Sequence, residues 1–337
     1  MFLAAKQFSF REGSHVGTLA LSRYALTISA VAALLAGCGG SQPPIGAPGI
    51  MAQSRAITDR AELKERSTSG ALLYVISYGY SVTMLSYPGL INNGSFSPEG
   101  LATNVCSDQE GNVYVTTGGG VIYKYAHGGT APIKTLTDPN YWPIHGCSVD
   151  PTTGDLAVAN DGPSGGNVAV YAGGQGLPTY YSNSSITTYA GCAYDGSGNL
   201  FLAAFDHRNK SAGGRLIELR HGSSELAEIP LDQQIAVPDL NSIEWNDRYL
   251  AFGGTEHGQR NIYHIRISKS KGTLIGNTVA KGVRPGWWIT GKTLISPFGR
   301  QKAEELGFWT YPKGGGITKK EDPFEKNSWI TAVTVSP

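Results

Sequence analysis

The chain has 337 residues, of which 40% are hydrophobic and 16% charged, with 45 glycines and a formal net charge of +1. This composition supports a packed core and excludes an intrinsically disordered chain. Because the charge is nearly balanced, there is no basic excess to neutralise phosphates, and we expect no nucleic-acid partner.

The N-terminal segment, residues 1–37, predicts an export signal. Arg23 precedes an apolar run over residues 24–37 that is too short for a comfortable membrane span. The run ends in Leu35-Ala-Gly-Cys38, which resembles the bacterial lipobox. The resemblance implies that Cys38 becomes the mature N-terminus and carries lipid, palmitate included. A simple secretory signal with a chance cysteine is the alternative.

Residues 38–70 are predicted to be a lipid-anchored linker. Gly39–Gly49 is rich in Gly and Pro and has no periodicity, and residues 52–66 either form one short charged helix or continue the linker. No Asp follows Cys38, so the inner-membrane retention signal of enteric bacteria is missing. We therefore expect a lipid anchor in the bacterial cell envelope, at the outer membrane or cell surface in preference to the inner membrane.

Residues 71–337 contain a strand pattern that recurs six times. Its clearest copies begin at Cys106, Cys147 and Cys192, and each has a short apolar strand, an Asp/Gly-rich turn and a second alternating strand. Weaker copies place Ile243, Trp288 and Val333 at the same position. A period of roughly 40–50 residues in an all-β pattern indicates a β-propeller. We predict six four-stranded antiparallel blades.

The two ends of this region predict how the ring closes. The first copy starts directly at its second strand, near Leu72, and the last segment, residues 329–336, is a lone strand of the innermost type. When that strand joins the first blade, it completes four strands and leaves no exposed edge. We therefore expect truncation after Ser328 to disrupt the fold.

The turn Asp-x-x-Gly-Asn-Val-Tyr-Val, followed by a strand that ends in Tyr, resembles the NHL-type six-bladed propellers. The resemblance covers residues 71–337 at the level of the blade pattern. It implies a platform that binds proteins or ligands, and relatives include metal-dependent lactonases and lyases. It does not decide function, because one fold hosts many activities.

The three propeller cysteines occupy equivalent positions in successive copies of the pattern. We expect equivalent residues of neighbouring blades to be too far apart for a disulfide, and interpret Cys106, Cys147 and Cys192 as buried packing residues. A Cys₃ metal site is the poorer alternative, because no C-x₂-C pair is present. The sequence also lacks an H-E-x-x-H motif.

The mouth of the channel is the predicted binding site. In each copy we take the residue two positions before Cys106 or its equivalent in the other copies. It is polar in four copies, and these candidates are Asn104, His145, Asn241 and Thr331. They suit a polar ligand, a cation or ordered water. Trp142, Trp287 and Trp288 lie near the same strand starts, where an aromatic ring can stack on a sugar or peptide.

The second-to-third-strand loops of the later blades are long and charged, which favours contact with a partner. Their candidates are Asp206, His207, Arg208, Glu256, His257, Arg260 and Arg300. The acid–His neighbours in two of these loops suit a divalent metal or an acid–base pair, and solvated loop charge is the alternative.

We interpret the chain as a monomeric, non-enzymatic binding or scaffold module for an envelope protein, a glycan or a small polar ligand, with no cofactor. The alternative is a metal-dependent lactonase-like or lyase-like enzyme with a divalent metal at the channel mouth. Asp239 and Glu244 are the only carboxylates near that mouth, which counts against the alternative. A structural ring inside a larger envelope complex is a third hypothesis.

Overall fold

A computed structural model describes residues 70–77, 81–140, 144–161, 165–299, 305–322 and 329–337. The signal segment and nearly all of the linker, including Cys38, lie outside these residues, so the domain boundaries remain predictions. The described part contains no helix that is long and apolar enough to cross a membrane.

The described strands form six four-stranded antiparallel sheets, which confirms the predicted six-bladed propeller. Strands are numbered in chain order. In blades one to three they are β1 (Leu72–Ser77), β2 (Ser81–Ser86), β3 (Asn92–Phe96), β4 (Ala102–Ser107), β5 (Val113–Thr117), β6 (Val121–Tyr125), β7 (Pro132–Thr137), β8 (Ile144–Val149), β9 (Leu156–Asn160), β10 (Asn167–Tyr171) and β11 (Thr179–Tyr181).

The remaining strands complete blades four to six and close the first blade. They are β12 (Thr188–Tyr194), β13 (Leu200–Phe205), β14 (Arg215–Leu219), β15 (Leu226–Ile229), β16 (Pro238–Trp245), β17 (Leu250–Glu256), β18 (Gln259–Ser268), β19 (Lys271–Thr278), β20 (Trp288–Thr290), β21 (Thr293–Phe298), β22 (Glu305–Thr310), β23 (Lys319–Glu321) and β24 (Ile330–Ser336). Short 3-10 helices span Ala172–Gly174 and His207–Ala212.

In the three clearest copies, the second to fourth blades, the recurring Asp closes the first hairpin. In the second blade, Asn112 donates its backbone N–H to Asp108 Oδ1 at 2.8 Å, and Gly111 adopts the positive φ of 86° that the turn needs. The fourth blade repeats this arrangement between Asn199 and Asp195 at 2.9 Å. Because the carboxylate holds the turn, the alternating strands on either side keep a fixed register.

The core consists of six clusters, each packed between two neighbouring blades. Tyr114 and Leu156, for example, belong to the cluster between the second and third blades, and Leu73 and Ile295 to the one between the first and sixth. All six clusters are built from described residues. The propeller therefore carries its own hydrophobic core without the preceding segment.

Strand β24 is the innermost strand of the first blade, as predicted. It pairs antiparallel with β1 from Leu72↔Ser336 to Ser77↔Ile330. A histidine of the second blade connects the end of β24 to the segment before β1. His127 Nδ1 lies 2.8 Å from Ser336 Oγ, and its Nε2 lies 3.0 Å from the Gly70 carbonyl oxygen.

Candidate functional site

The propeller has two distinct faces around its channel. Antiparallel order places the first-to-second and third-to-fourth-strand turns of each blade on one face, here called the turn face. The connections between blades and the second-to-third-strand loops lie on the opposite loop face. The contacts of His127 with residues 70 and 336 place the start of the described chain on the turn face.

The innermost strands bulge at a common level near the loop face. Register shifts interrupt the pairing of β4, β8, β12 and β24 with their second strands, and β16 has a longer bulge over residues 239–242. Bulges re-aim side chains at the rims of β structures. The four predicted mouth residues lie at or next to these bulges, but they do not form one ring of equivalent side chains.

Asn104 connects two innermost strands. It is only 2% exposed, its Nδ2 donates to the His145 carbonyl at 3.2 Å, and its Oδ1 accepts the Val105 N–H at 2.6 Å. Because both ends of the amide are occupied inside the protein, Asn104 acts as a clamp between the second and third blades.

His145 forms a half-buried acid–base pair with a residue that sequence reasoning missed. Its Nε2 lies 3.5 Å from Asp161 Oδ2, and Thr188 donates its hydroxyl to Asp161 Oδ1 at 3.2 Å. Burial lowers the pKa of His145, and the nearby Asp161 charge partly opposes this effect. Asp161 follows β9 directly, and no motif marks it in the sequence.

Asn241 and two glycines narrow the channel. Asn241 has a positive φ of 49°, which is uncommon outside glycine, and lies within the long bulge of β16. A Cβ on Gly146 would lie 2.9 Å from Gly191 Cα and 3.6 Å from Asn241 Oδ1. Three innermost strands therefore approach one another closely at this level.

Residues of the sixth and first blades also lie at this narrow level of the channel. Gly286 donates its N–H to the Asn241 carbonyl at 3.2 Å, and its own carbonyl accepts the Val333 N–H at 3.1 Å. Thr331 Oγ1 is buried nearby and has no hydrogen-bond partner among the described residues. We call the level of Gly146, Gly191, Asn241 and Gly286 the constriction.

On the turn-face side of the constriction, the channel widens into a cavity of 330 Å³. This is within the range of small-molecule sites. Apolar and aromatic side chains of all six innermost strands alternate with polar ones around it. The lining residues include Ser107, Gln109, Cys147, Ser148, Cys192, Tyr194, Asn241, Glu244, Trp245, Trp287, Trp288 and Val333.

The aromatic part of this lining comes from the fifth and sixth blades together with Tyr194. Trp245 stacks on Phe201 with ring centroids 6.1 Å apart and an interplanar angle of 12°. Trp287 is buried between blades, whereas Trp288 is only partly buried. These rings are held by packing, so the cavity offers preformed indole and phenol surfaces.

Glu244 is the only carboxyl group among the described residues that line the cavity. Its Oε2 accepts the Ile289 N–H at 2.7 Å, while burial raises the pKa of the carboxyl well above its usual range. No Lys, Arg or His is among the described lining residues. The described lining therefore has no cationic side chain, and burial disfavours the charged form of its carboxyl group.

Most of the predicted loop-face residues have partners within their own blades. Arg208 Nε pairs with Asp206 Oδ1 at 2.8 Å, and its charge lowers the pKa of that carboxyl. His207 opens the second 3-10 helix and donates its backbone N–H to Thr187 Oγ1 at 2.7 Å. These contacts stabilise the loop, and its role in binding remains a prediction.

The loop of the fifth blade is likewise internally bonded. Arg260 Nε pairs with Asp239 Oδ2 at 3.0 Å, and Glu256 accepts the Tyr263 hydroxyl at 3.2 Å. His257 occupies the turn between β17 and β18 with a φ of 49°. Arg300 and Trp142 lie outside the described residues.

The described residues contain no group of three or more His, Cys, Asp or Glu side chains arranged to hold a metal ion. This includes the two acid–His neighbours, Asp206-His207 and Glu256-His257. The metal ligands of the enzyme alternative are thus not assembled in the described part of the channel mouth.

The expectation for the cysteines was wrong in one respect, because Cys106 and Cys147 form a disulfide with a Cα–Cα distance of 5.8 Å. Cys106 pairs with Tyr114 across its hairpin, whereas Cys147 pairs with Val158. Relative to the turn Asp, Cys106 lies one residue later than Cys147 does in the next blade. Since successive strand side chains alternate faces, the two thiols point toward each other between the blades.

Cys192 is the free cysteine of the described residues and is buried, as expected. Its Sγ faces the Ala157 carbonyl at 3.7 Å, and burial raises the pKa of the thiol to about 12. It therefore stays protonated near neutral pH and does not compete for the disulfide.

The fold and the channel define a six-bladed β-propeller whose cavity is lined by aromatic and polar side chains. No protein-family model matches the chain, and no curated protein matches it. Among solved structures, the chain is similar to one in the crystal structure of a nidogen/laminin complex. The identity is 14% and the TM-score 0.61, over 80% of this chain and 99% of that chain.

Two further structures share the fold. A protein of unknown function from Bacteroides caccae is 9% identical with a TM-score of 0.52, over 80% of this chain and 99% of that chain. The β-propeller domain of Cps50 (Swd1) from Myceliophteria thermophila is 11% identical with a TM-score of 0.51, over 72% of this chain and 79% of that chain. At these identities the similarity shows the propeller fold and nothing finer.

Proposed function

We propose that the chain is an envelope-tethered binding propeller that holds a small, neutral, hydroxyl-bearing ligand, of the size of a monosaccharide, in its channel cavity. The observation that carries this proposal is the lining of the cavity. Indole and phenol rings supply stacking surfaces, while Ser107, Gln109, Ser148 and Asn241 supply neutral hydrogen-bonding groups.

The electrostatics of the cavity favour a neutral ligand. An anion would find no cation among the described lining residues, and a cation would find a single carboxyl group whose charged form is disfavoured by burial. A sugar-like ligand has acceptor oxygens for the Glu244 proton and apolar C–H faces for the rings. The enzyme alternative requires several carboxylates in the channel, whereas the described part of this cavity has Glu244 alone.

Two features support the envelope location. The Leu35-Ala-Gly-Cys38 motif resembles a lipobox. Independently, the Cys106–Cys147 disulfide belongs to an oxidising compartment, since cytosolic thiols are kept reduced. In a bacterial host, Cys38→Ala should abolish incorporation of radiolabelled palmitate and release the protein from the membrane fraction. Unchanged labelling would refute lipidation at Cys38.

The ligand class is tested with three sugars that differ in charge. Glucose, glucosamine and glucuronate are titrated against the purified protein, with tryptophan fluorescence and calorimetry as readouts. We expect the neutral sugar to bind more tightly than either charged analogue. Preferred binding of a charged analogue would contradict a neutral site.

A matched pair of variants locates the binding. Gln109 and Gln175 are both exposed turn residues, but only Gln109 lines the cavity. Gln109→Trp should obstruct the mouth and abolish sugar binding, whereas Gln175→Trp should leave it unchanged. Equal effects of the two variants would place the binding outside the cavity.

A further inference from the structure

The turn face carries a strongly asymmetric charge distribution. Exposed cations lie in all four turns of the fifth and sixth blades on that face and on the two strands that flank one of these turns. This basic turn patch consists of Arg248, Arg266, Lys269, Lys271, Lys292 and Lys313. Asp247 is the only carboxylate among the described residues of the four turns.

Contacts beneath the surface show that the patch is continuous across the two blades. The His264 ring stacks on Tyr249 with centroids 4.6 Å apart and meets the Tyr311 ring at 5.5 Å. Tyr311 also donates its N–H to the Lys292 carbonyl at 2.8 Å. The turns that carry Arg248, Lys292 and Lys313 are thereby held side by side.

The cations of the patch are available to a partner. None of the six forms an ion pair with a described carboxylate, unlike Lys124, which pairs with Asp108 at 3.1 Å, and Lys320, which pairs with Glu305 at 3.1 Å. Six cations against one carboxylate over two adjacent blades produce a local positive potential, although the whole chain is nearly neutral.

The opposite half of the turn face is acidic. The first turns of the second, third and fourth blades carry Asp108, Glu110, Asp150, Asp155 and Asp195. Asp108, Asp150 and Asp195 each accept a backbone N–H group of their own turn. An anionic surface is therefore attracted to the fifth and sixth blades and repelled from the second to fourth.

The path of the chain indicates which anionic surface this is. Residue 70 leaves the propeller on the turn face, in the blade next to the sixth. If Cys38 is lipidated, at most the 31 residues between Cys38 and Gly70 separate this face from the bilayer. A single lipid chain binds a membrane only marginally, so a stably bound protein usually has a second source of affinity. A basic surface patch beside the anchor is a common one.

We propose that the basic turn patch docks on an anionic lipid surface. The docking tilts the propeller so that its fifth and sixth blades lie against the headgroups. The acidic half is lifted away, which keeps the cavity mouth accessible from that side. This orientation rests on the lipid tether of the proposed function, but binding of the patch to lipid does not require it and is measured without it.

The experiment uses residues 38–337 with Cys38→Ser, which retain all described strands and core clusters. Binding is measured by co-sedimentation with vesicles of phosphatidylcholine alone or with about 30% phosphatidylglycerol, at low and at physiological salt. We expect binding to the anionic vesicles only, and weaker binding as salt increases. Absence of binding at low salt would overturn the proposal.

Matched triple variants separate the patch from net charge. Lys269→Ser/Lys292→Ser/Lys313→Ser should weaken vesicle binding by roughly 100-fold, because each cation at the surface contributes about fivefold. Lys134→Ser/Arg208→Ser/Lys320→Ser removes the same charge from exposed positions outside the patch and should have little effect. Equal losses in the two variants would overturn the proposal.

A soluble polyanion provides the last control. If the protein binds poly-glutamate as tightly as anionic vesicles, and the patch variant loses both equally, the partner is an acidic polypeptide and the lipid assignment is wrong. Sugar binding in the cavity should be unchanged in the patch variant. Failure of the docking proposal is thus distinguishable from failure of the proposed ligand site.

Discussion

Reduction of the Cys106–Cys147 disulfide should measurably destabilise the propeller. The bond closes a loop over a sequence separation of 41 residues. In the chain-entropy model, a loop of this length restricts the unfolded state enough to stabilise the fold by about 4 kcal/mol. That amount is a large fraction of the roughly 5–15 kcal/mol that separates a folded domain from its unfolded state.

The assay compares urea denaturation of the oxidised and the reduced protein, followed by tryptophan fluorescence and far-UV circular dichroism. Peptide mapping confirms the cross-link in the oxidised sample. Cys106→Ala/Cys147→Ala should have the midpoint of the reduced protein and no response to reductant. Cys192→Ala serves as the control, because it removes the third thiol and should keep the full response.

The reasoning would be refuted if the oxidised and reduced proteins had the same denaturation midpoint. It would also be refuted if mapping found Cys192 in the cross-link. The second result would mean that the register offset between Cys106 and Cys147 had been misjudged, since this offset alone points their side chains toward each other.

Three further predictions concern ring closure, the cavity and the constriction. Truncation after Ser328 removes β24 and should give an unfolded or aggregated protein by circular dichroism and size-exclusion chromatography, since each buried Val or Ile lost contributes roughly 1.5–3 kcal/mol. Glu244 has a raised pKa in the folded state, so the stability it contributes is fully present below its ordinary value of 4.5 and is lost as pH rises through the raised value. Glu244→Gln should therefore be more stable than the parent near pH 7 and about equal near pH 4 in urea titrations; a constant difference would contradict this. Gly146→Ala forces a Cβ to within 2.9 Å of Gly191 Cα and should cost about 1–3 kcal/mol, whereas Gly119→Ala, with nothing within 4 Å, should change the midpoint little.

The architecture was predictable because the blade pattern combines two independent local signals. An Asp-capped turn and strands of period two recur together at Asp108, Asp150 and Asp195, so register and turn agree in each copy. The position of β24 followed from the missing innermost strand of the first blade. Both features are local or topological, and neither requires knowledge of how side chains pack across the channel.

The cysteine pairing was missed because the copies were aligned on cysteine and not on the turn. Cys106 lies two residues before its turn Asp, while Cys147 and Cys192 lie three residues before theirs. Counting from Asp would have placed Cys106 on the opposite blade face. The dipeptides Gly146-Cys147 and Gly191-Cys192 also indicate that neighbouring innermost strands lie close together, because a glycine in a strand lets the adjacent backbone approach.

The constriction and the cavity could not be derived from the pattern, because they depend on departures from it. Asn241 lies in a bulge of four residues in β16, and β20 is only three residues long. Nothing in the sequence indicates the positive φ of Asn241 or the hydrogen bond of Glu244 to Ile289. These features arise from how several innermost strands meet, which is a property of the closed ring.

The irregular blades are also the ones that carry the proposed chemistry. Blades two to four repeat the pattern closely, and their turns carry acidic residues that hold the hairpins. Blades five and six have the distorted innermost strands, the three tryptophans of the cavity and the basic turn patch. Real proteins depart from local consistency chiefly where function requires it. The loss of the repeat in these two blades therefore favours one functional side of the propeller, on which the tryptophans of the cavity and the basic turn patch lie together.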